Sequence, residues 1–107
     1  MSSAPAIYEA DCAKDGSGGV VRGDQISHAQ AIERRKKGQD VVVCGEDTFA
    51  NARAAYGIET AVGPCKPDGP HTDVAGAMAL PHFQQRTVPP EGHAFYETPI
   101  RKAVVRP

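Results

Sequence analysis

Three of the four histidines, His71, His82 and His93, fall in the polar, Pro-rich C-terminal half of this 107-residue chain. His82 and His93 sit in two short apolar-aromatic runs, LPHF (80–83) and HAFYE (93–97), separated by the turn sequence VPPEG. Histidine exchanges protons near neutral pH more readily than any other side chain, so two on neighbouring strands could supply the base and the acid of an in-line phosphoryl transfer. Side chains alternate along a strand, which puts His93, Phe95 and Glu97 on one face and Ala94 and Tyr96 on the other. In 80–86, His82 shares its face with Leu80, Gln84 and Arg86. A hairpin in register would then gather His82, His93, Gln84, Glu97 and Arg101 into an acid, base and cation set. A half-wet hairpin carries alternating polar residues for solubility alone. What favours chemistry is the grouping of His71, His82 and His93 with Glu97, Arg101 and Lys102 close behind.

Other chemistries have weaker support. A three-histidine zinc site with an open position is conceivable, but the spacing matches no compact ligand motif, so no metal and no cofactor are expected. Cys12, Cys44 and Cys65 are odd in number and lack C-x-x-C spacing; a Cys12–Cys65 disulfide is possible, with reduced thiols the favoured state. Cys44 follows an apolar run and reads as an inert core thiol, while Cys65 is the better-exposed candidate nucleophile. The basic run Arg34-Arg35-Lys36-Lys37 reads as a solvated helix end, with phosphate contacts as its functional alternative. A formal net charge of −1 argues against broad, charge-driven binding to nucleic acid.

These groups must be positioned by one small α+β domain spanning 1–107, with N-terminal helices packed on a small antiparallel sheet. Residues 1–18 read as linker or poorly structured, YEADCAKDG as a turn or two of helix, and SGGVVRGD as loop with a brief extended piece. Ser27-His-Ala-Gln30 matches a capping box, helix formers follow, and Gly38 sits where a left-handed stop is wanted, predicting a helix over 28–37. Val41–Cys44 is a short buried strand. Asp47 can cap a second helix, expected to stop at Gly57. Residues 63–76 read as a long ordered loop with His71 near the histidine cleft. Three strands, 78–86, 93–98 and 101–106, complete a meander, with VPPEG as the hairpin loop and Thr98-Pro99 as a turn. No run is long enough to span a membrane, and no signal segment is evident at the start.

The segments RGDQISHAQAIERRKKGQDVVVCG, GPHTDVAGAMALPHFQ and GHAFYETPIRKA, within residues 19–103, resemble the C-terminal toxin modules of bacterial polymorphic toxins. Those modules are delivered by contact-dependent inhibition, Rhs or type VI secretion systems, and many are ribonucleases, often tRNases, of the barnase/EndoU/colicin/RelE-like kind. The resemblance implies a metal-independent ribonuclease, delivered from the producing bacterium into the target-cell cytoplasm and neutralised by a cognate immunity protein. It points to His82 and His93 as the catalytic residues, with RNA as substrate. In that reaction one histidine deprotonates the RNA 2′-hydroxyl, the other protonates the 5′-oxygen, and Arg101 or Lys102 steadies the phosphorane. The slightly acidic net charge departs from the basic surface usual in such nucleases. Two further hypotheses stand beside it: an NAD-consuming or ADP-ribosyl-transferring toxin using Arg22, Tyr96 and Glu97, and a non-enzymatic binding module.

Overall fold

The computed structural model describes residues 4–72 and 76–105. Its elements are β1 (Ala6–Cys12), β2 (Val20–Ile26), α1 (His28–Lys36), β3 (Val41–Cys44), α2 (Thr48–Val62), β4 (Cys65–Asp68), β5 (His82–Gln85), β6 (Ala94–Tyr96) and β7 (Val104–Val105). The strands form one seven-stranded mixed sheet in the order β4-β5-β6-β3-β1-β2-β7. The α+β class holds, but strands precede the helices and the sheet is not purely antiparallel. β3 runs parallel to β6, and β2 runs parallel to β7.

The central strand explains the layering. All four residues of β3 are buried, because both of its faces are covered. On one face Val41, Val43 and Ala94 pack with Ala31 of α1 and with Ala55 and Ile58 of α2. On the other, Val42, Cys44 and Phe95 pack with Ala10, Val20 and Leu80. Among the described residues, helices cover the first face and loops the second. The cleft described below lies under those loops.

Helix α1 begins as its sequence requires. The Ser27 hydroxyl accepts from the Gln30 amide at 3.1 Å, and Gln30 Oε1 accepts from the Ser27 amide at 2.8 Å. Gly38, with φ of +77°, follows the helix end. Helix α2 is capped by Asp47 but runs through Gly57 to Val62. One glycine costs a helix about 1 kcal/mol. Continuing past it buries Ile58 completely, worth about 1.5–3 kcal/mol, which outweighs that cost, and brings Glu59 inside as well.

Glu59 meets Arg35 in a fully buried, two-pronged ion pair: Arg35 Nε lies 2.7 Å from Oε1, and Nη2 lies 3.0 Å from Oε2. Gln85 of β5 donates to Glu59 Oε2 at 2.6 Å and to the Glu59 carbonyl at 3.0 Å. Arg35 Nη1 donates to the carbonyls of Gln39 and Glu91. The basic run at 34–37 is therefore not simply a solvated helix end. Arg34 is also engaged, donating twice to the Asp40 carbonyl, which leaves Lys36 and Lys37 outward.

Several sequence expectations are corrected. Residues 6–12 and 20–26 form an antiparallel pair rather than linker, helical turn and loop. Residues 65–68, expected within a loop, form the edge strand β4 against β5. Residues 78–81 are not strand; they fold over the loop-covered face, where Leu80 is buried. The last strand does not extend a meander beside β6 but crosses to the far edge and pairs with β2. The turn at Thr98-Pro99 does form, closed by the Thr98 amide to the Arg101 carbonyl. Cys12, Cys44 and Cys65 are all free, and with three strands between β1 and β4 the distance from Cys12 to Cys65 is too great for a disulfide.

The buried pair yields a stability prediction. Glu59→Ala leaves Arg35 charged, buried and half-satisfied, and is expected to cost about 3–5 kcal/mol in urea unfolding. The apolar double variant Arg35→Met/Glu59→Leu should recover much of that loss. A cost below about 1 kcal/mol for Glu59→Ala would show that the pair does not hold the helices to the sheet.

Candidate active site

The loop-covered face carries a cleft of about 270 Å³. Its walls include His71, His82 and His93, with Leu80, Phe95 and Cys12 among the remaining residues. The β1–β2 loop contributes Gly16 and Gly18, both at positive φ. A Cβ on Gly16 would meet nothing within 4 Å, so this glycine serves backbone conformation rather than a tight fit.

The three histidines form a row. Ring centroids are 5.3 Å apart from His71 to His82 and 4.6 Å apart from His82 to His93, the latter edge to face. Phe95 is the floor, 5.3 Å from His82 and 5.0 Å from His93. The β5–β6 register explains the arrangement. His82 lies opposite Phe95, which sets His93 one diagonal step away on the same face. His71 arrives from beyond the end of β4, where Asp68 lies opposite His82.

The middle ring differs from its neighbours. His82 is 3% exposed, whereas the side chains of His71 and His93 are 45% and 38% exposed. His82 Nε2 lies 2.9 Å from Gln84 Oε1, and Nδ1 lies 3.3 Å from the Leu80 carbonyl. Burial is the main influence holding its pKa below the ordinary 6.5, and His93 and, less strongly, His71 add to it. The contacts with Leu80 and Gln84 oppose the shift. His82 is thus a buried imidazole whose surroundings disfavour its charged form, not the exposed polar residue expected of a wet hairpin face.

A carboxylate stands at each end of the row. Asp40 accepts the His93 backbone N–H at 2.7 Å, and the same oxygen lies 3.3 Å from His93 Nδ1. That second approach is close enough for charge but off hydrogen-bond direction, and Nδ1 is left buried without a hydrogen-bond partner. At the other end, Asp68 Oδ1 lies 3.4 Å from His71 Nε2. The Gly69 amide, followed by the nearby histidines and Lys66, holds the Asp68 carboxyl below the usual range. Gly69 itself, at φ +72°, passes so close that a Cβ would stand 3.1 Å from His82 Cε1.

The remaining candidates from the sequence scatter. Gln84 is in place, holding His82. Glu97 is 7% exposed and lies on the expected face, but four residues of strand carry it about 13 Å from His93. Its two oxygens accept from the amides of Gly45 and Ala103. Arg101 does not reach the histidines as a cation; Nη1 donates to the carbonyls of Ala77 and Ala79, clamping the loop that roofs the cleft. Lys102 lines a different cleft, with Glu97, Arg22 and Tyr8. Tyr96 is on the helix-facing side, 5.7 Å from Phe83, and burial pushes its pKa up. Arg86 is exposed at the end of β5 and donates to the Cys65 carbonyl.

Neither thiol near these clefts is an activated nucleophile. Burial, with Glu97 second, pushes Cys44 up to about 11, and burial followed by Asp40 and Asp11 raises Cys12. Cys65 stands on the edge strand β4, beside the Thr60 hydroxyl at 3.5 Å.

Sequence reasoning missed Asp40 and Asp68. Asp40 directly precedes β3, and its place beside His93 follows only from the parallel pairing of Val41 with Ala94. Comparison with protein-family models, with curated proteins and with solved structures finds no match to this chain.

The lowered pKa of His82 has a measurable consequence. Below about pH 6.5 the unfolded chain protonates this histidine while the folded chain resists. Its contribution therefore makes stability fall as pH drops from 6.5 toward the lowered folded value, and is flat above 6.5. The groups facing it are His71, His93 and Asp68, with Asp40 behind His93. Urea unfolding in EDTA between pH 5 and 8 should show a shallower pH dependence for His82→Gln than for the parent chain. Identical slopes would mean that His82 protonates as freely folded as unfolded.

Proposed function

We propose that the cleft is the active site of a metal-independent endoribonuclease, a toxin module of the polymorphic kind, in which His93 and His71 transfer protons on either side of an RNA phosphate. The observation that carries this reading is the row of three imidazoles with an exposed ring at each end and a carboxylate behind each exposed ring. An in-line displacement puts the attacking and leaving oxygens on opposite sides of phosphorus. Its base and acid each stand one hydrogen bond (about 2.8 Å) beyond an oxygen, further apart than touching rings allow. His82 and His93, in contact at 4.6 Å, are too close to bracket a phosphate by themselves. The outer pair, spaced by His82, suits that task better.

In this reaction the 2′-oxygen forms a bond to phosphorus as its proton passes to His93, whose incoming charge Asp40 accompanies. The bond from phosphorus to the 5′-oxygen breaks as His71 delivers a proton to it. The products are a 2′,3′-cyclic phosphate and a free 5′-hydroxyl. His82 holds the two outer rings apart and is a positioning residue. Among the described residues the cleft lining holds no Arg or Lys, so the imidazolium rings would meet the phosphorane charge in place of Arg101. As a toxin module the protein would be held in check by an immunity protein covering this cleft.

A second cleft supports the NAD-directed alternative. Arg22 lies 4.4 Å over the Tyr8 ring, and Glu97 and Lys102 share that cleft, with Tyr8 standing where Tyr96 was expected. The Glu97 carboxylate is already engaged by two amides, which weakens it as a ligand for ribose hydroxyls.

Incubation with total RNA in EDTA tests the first reading. Cleavage to 2′,3′-cyclic phosphate ends is expected, with His71→Ala and His93→Ala each lowering the rate at least about 100-fold. Because the two act as a unit, the double variant should be little worse than the poorer single. Undiminished cleavage by the double variant would remove the histidines from the chemistry. RNA left intact alongside loss of NAD would favour the second cleft.

A further inference from the structure

The outer end of the histidine row carries a second capability that does not depend on RNA being the substrate. We propose that Asp68, His71 and His82 form a binding site for a divalent cation of the zinc class, in which the metal displaces the His71–Asp68 contact and occupies the end of the cleft. One ligand atom from each of the three lies within 4.8 Å of the others. Zinc binds imidazole nitrogen and carboxylate oxygen at about 2.0–2.2 Å, so neighbouring ligand atoms in a tetrahedron stand about 3.4 Å apart. The separation of His71 Nε2 and Asp68 Oδ1 is 3.4 Å. Two of the three ligands already span one edge of such a tetrahedron, and the half-exposed side chains of both can adjust toward the third.

The groups around His82 favour its role as a ligand. Bonding through one ring nitrogen fixes which lone pair is offered, as the outer partners of metal-bound histidines do. The 2.9 Å contact from Nε2 to Gln84 Oε1 can take the ring proton and leave Nδ1 as ligand, the metal displacing the longer 3.3 Å approach of Nδ1 to the Leu80 carbonyl. Nδ1 is also the nitrogen nearest to Gly69, 3.2 Å from where a Cβ on that residue would stand, and so lies along the segment that joins Asp68 to His71. A side chain at Gly69 would crowd this edge, while its positive φ turns the chain so that Asp68 and His71 both reach back. Three protein ligands leave a fourth position open to water. The set of two nitrogens and one carboxylate suits zinc over magnesium or calcium, which prefer all-oxygen shells.

This site and the proton chemistry compete for His71. Metal on Nε2 removes the proton donor at that end of the cleft, so zinc is expected to silence the metal-free reaction and a chelator to restore it. His93 and Asp40, at the opposite end, are not ligands and stay free.

Calorimetric titration of zinc chloride into the chelator-treated, reduced protein tests the site without reference to activity. One zinc per chain is expected, and cobalt(II) as a second probe should give the intense visible absorption of four-coordinate geometry. His71→Ala and Asp68→Asn, both at half-exposed positions where folding is secure, should each weaken zinc at least 10-fold. His93→Ala and Cys12→Ser should leave the affinity within a factor of about two. Failure to bind zinc at 100 µM, equal affinity in His71→Ala, or a 10-fold loss in His93→Ala or Cys12→Ser would each overturn the assignment. RNA cleavage that fails while zinc titrates as described would overturn the ribonuclease reading and leave the metal site standing.

Discussion

The buried guanidinium of Arg35 is the constraint on which the rest of the structure turns. A charge removed from water is tolerated only when it is paired and its remaining donors are satisfied, and Arg35 meets that demand from three parts of the chain, at Glu59, Gln39 and Glu91. Glu59 fixes α2 against α1, and through Gln85 the same carboxylate reaches β5. The third guanidinium nitrogen holds the carbonyls of Gln39 and Glu91. Those residues directly precede Asp40 and closely precede His93. Gly92 fits between them only because it lacks a side chain: a Cβ there would stand 2.7 Å from the guanidinium and 2.9 Å from Asp40 Oδ1. Helix packing and the inner end of the histidine row thus share one electrostatic anchor.

The two faces of the sheet divide the labour. Helices seal one face with small and branched side chains, giving a dry support. The other face is roofed by the 13–19 and 76–81 segments, tied together by the Met78 amide to the Ser17 carbonyl. A Cβ on Gly76 would stand 2.2 Å from that same carbonyl oxygen, so the two segments meet backbone to backbone. Loops leave a cleft where helices would have filled it, and strand-borne side chains such as His82 and Phe95 form its floor on rigid backbone.

What could be read in the sequence was local. The capping box at Ser27, the glycine after α1, the buried run Val41–Cys44 and the shared face of His82 and His93 all follow from short-range chemistry, and the structure has each of them. The failures are long-range. β1 and β2 carry Asp, Glu and Gly at positions that strand propensity disfavours, and only pairing with each other and with β3 makes them strands. Helix α2 outran Gly57 because the extra turn buries Ile58 against α1 and the sheet, which lie elsewhere in the sequence. Face periodicity placed Glu97 correctly but said nothing of distance along the strand, and Arg101 was drawn to nearby carbonyls that no alternation pattern reveals. The burial of His82 was equally hidden, since it depends on a roof supplied by another part of the chain.

Among the described residues, the parallel pairing of β3 with β6 is the seam in the sheet between the segment β4-β5-β6 and the segment β3-β1-β2-β7. Its partners, such as Val41 and Ala94, are separated by half the chain, and contacts of that kind are slow to form because a long loop must close before any pairing repays it. The hairpin of β1 and β2 and the two capped helices have no such delay. Asp40 stands on one side of this seam and His93 on the other. The cleft therefore draws its walls from both sides of the seam, the three histidines from one and Asp40 with the 13–19 roof from the other, so neither side alone encloses it.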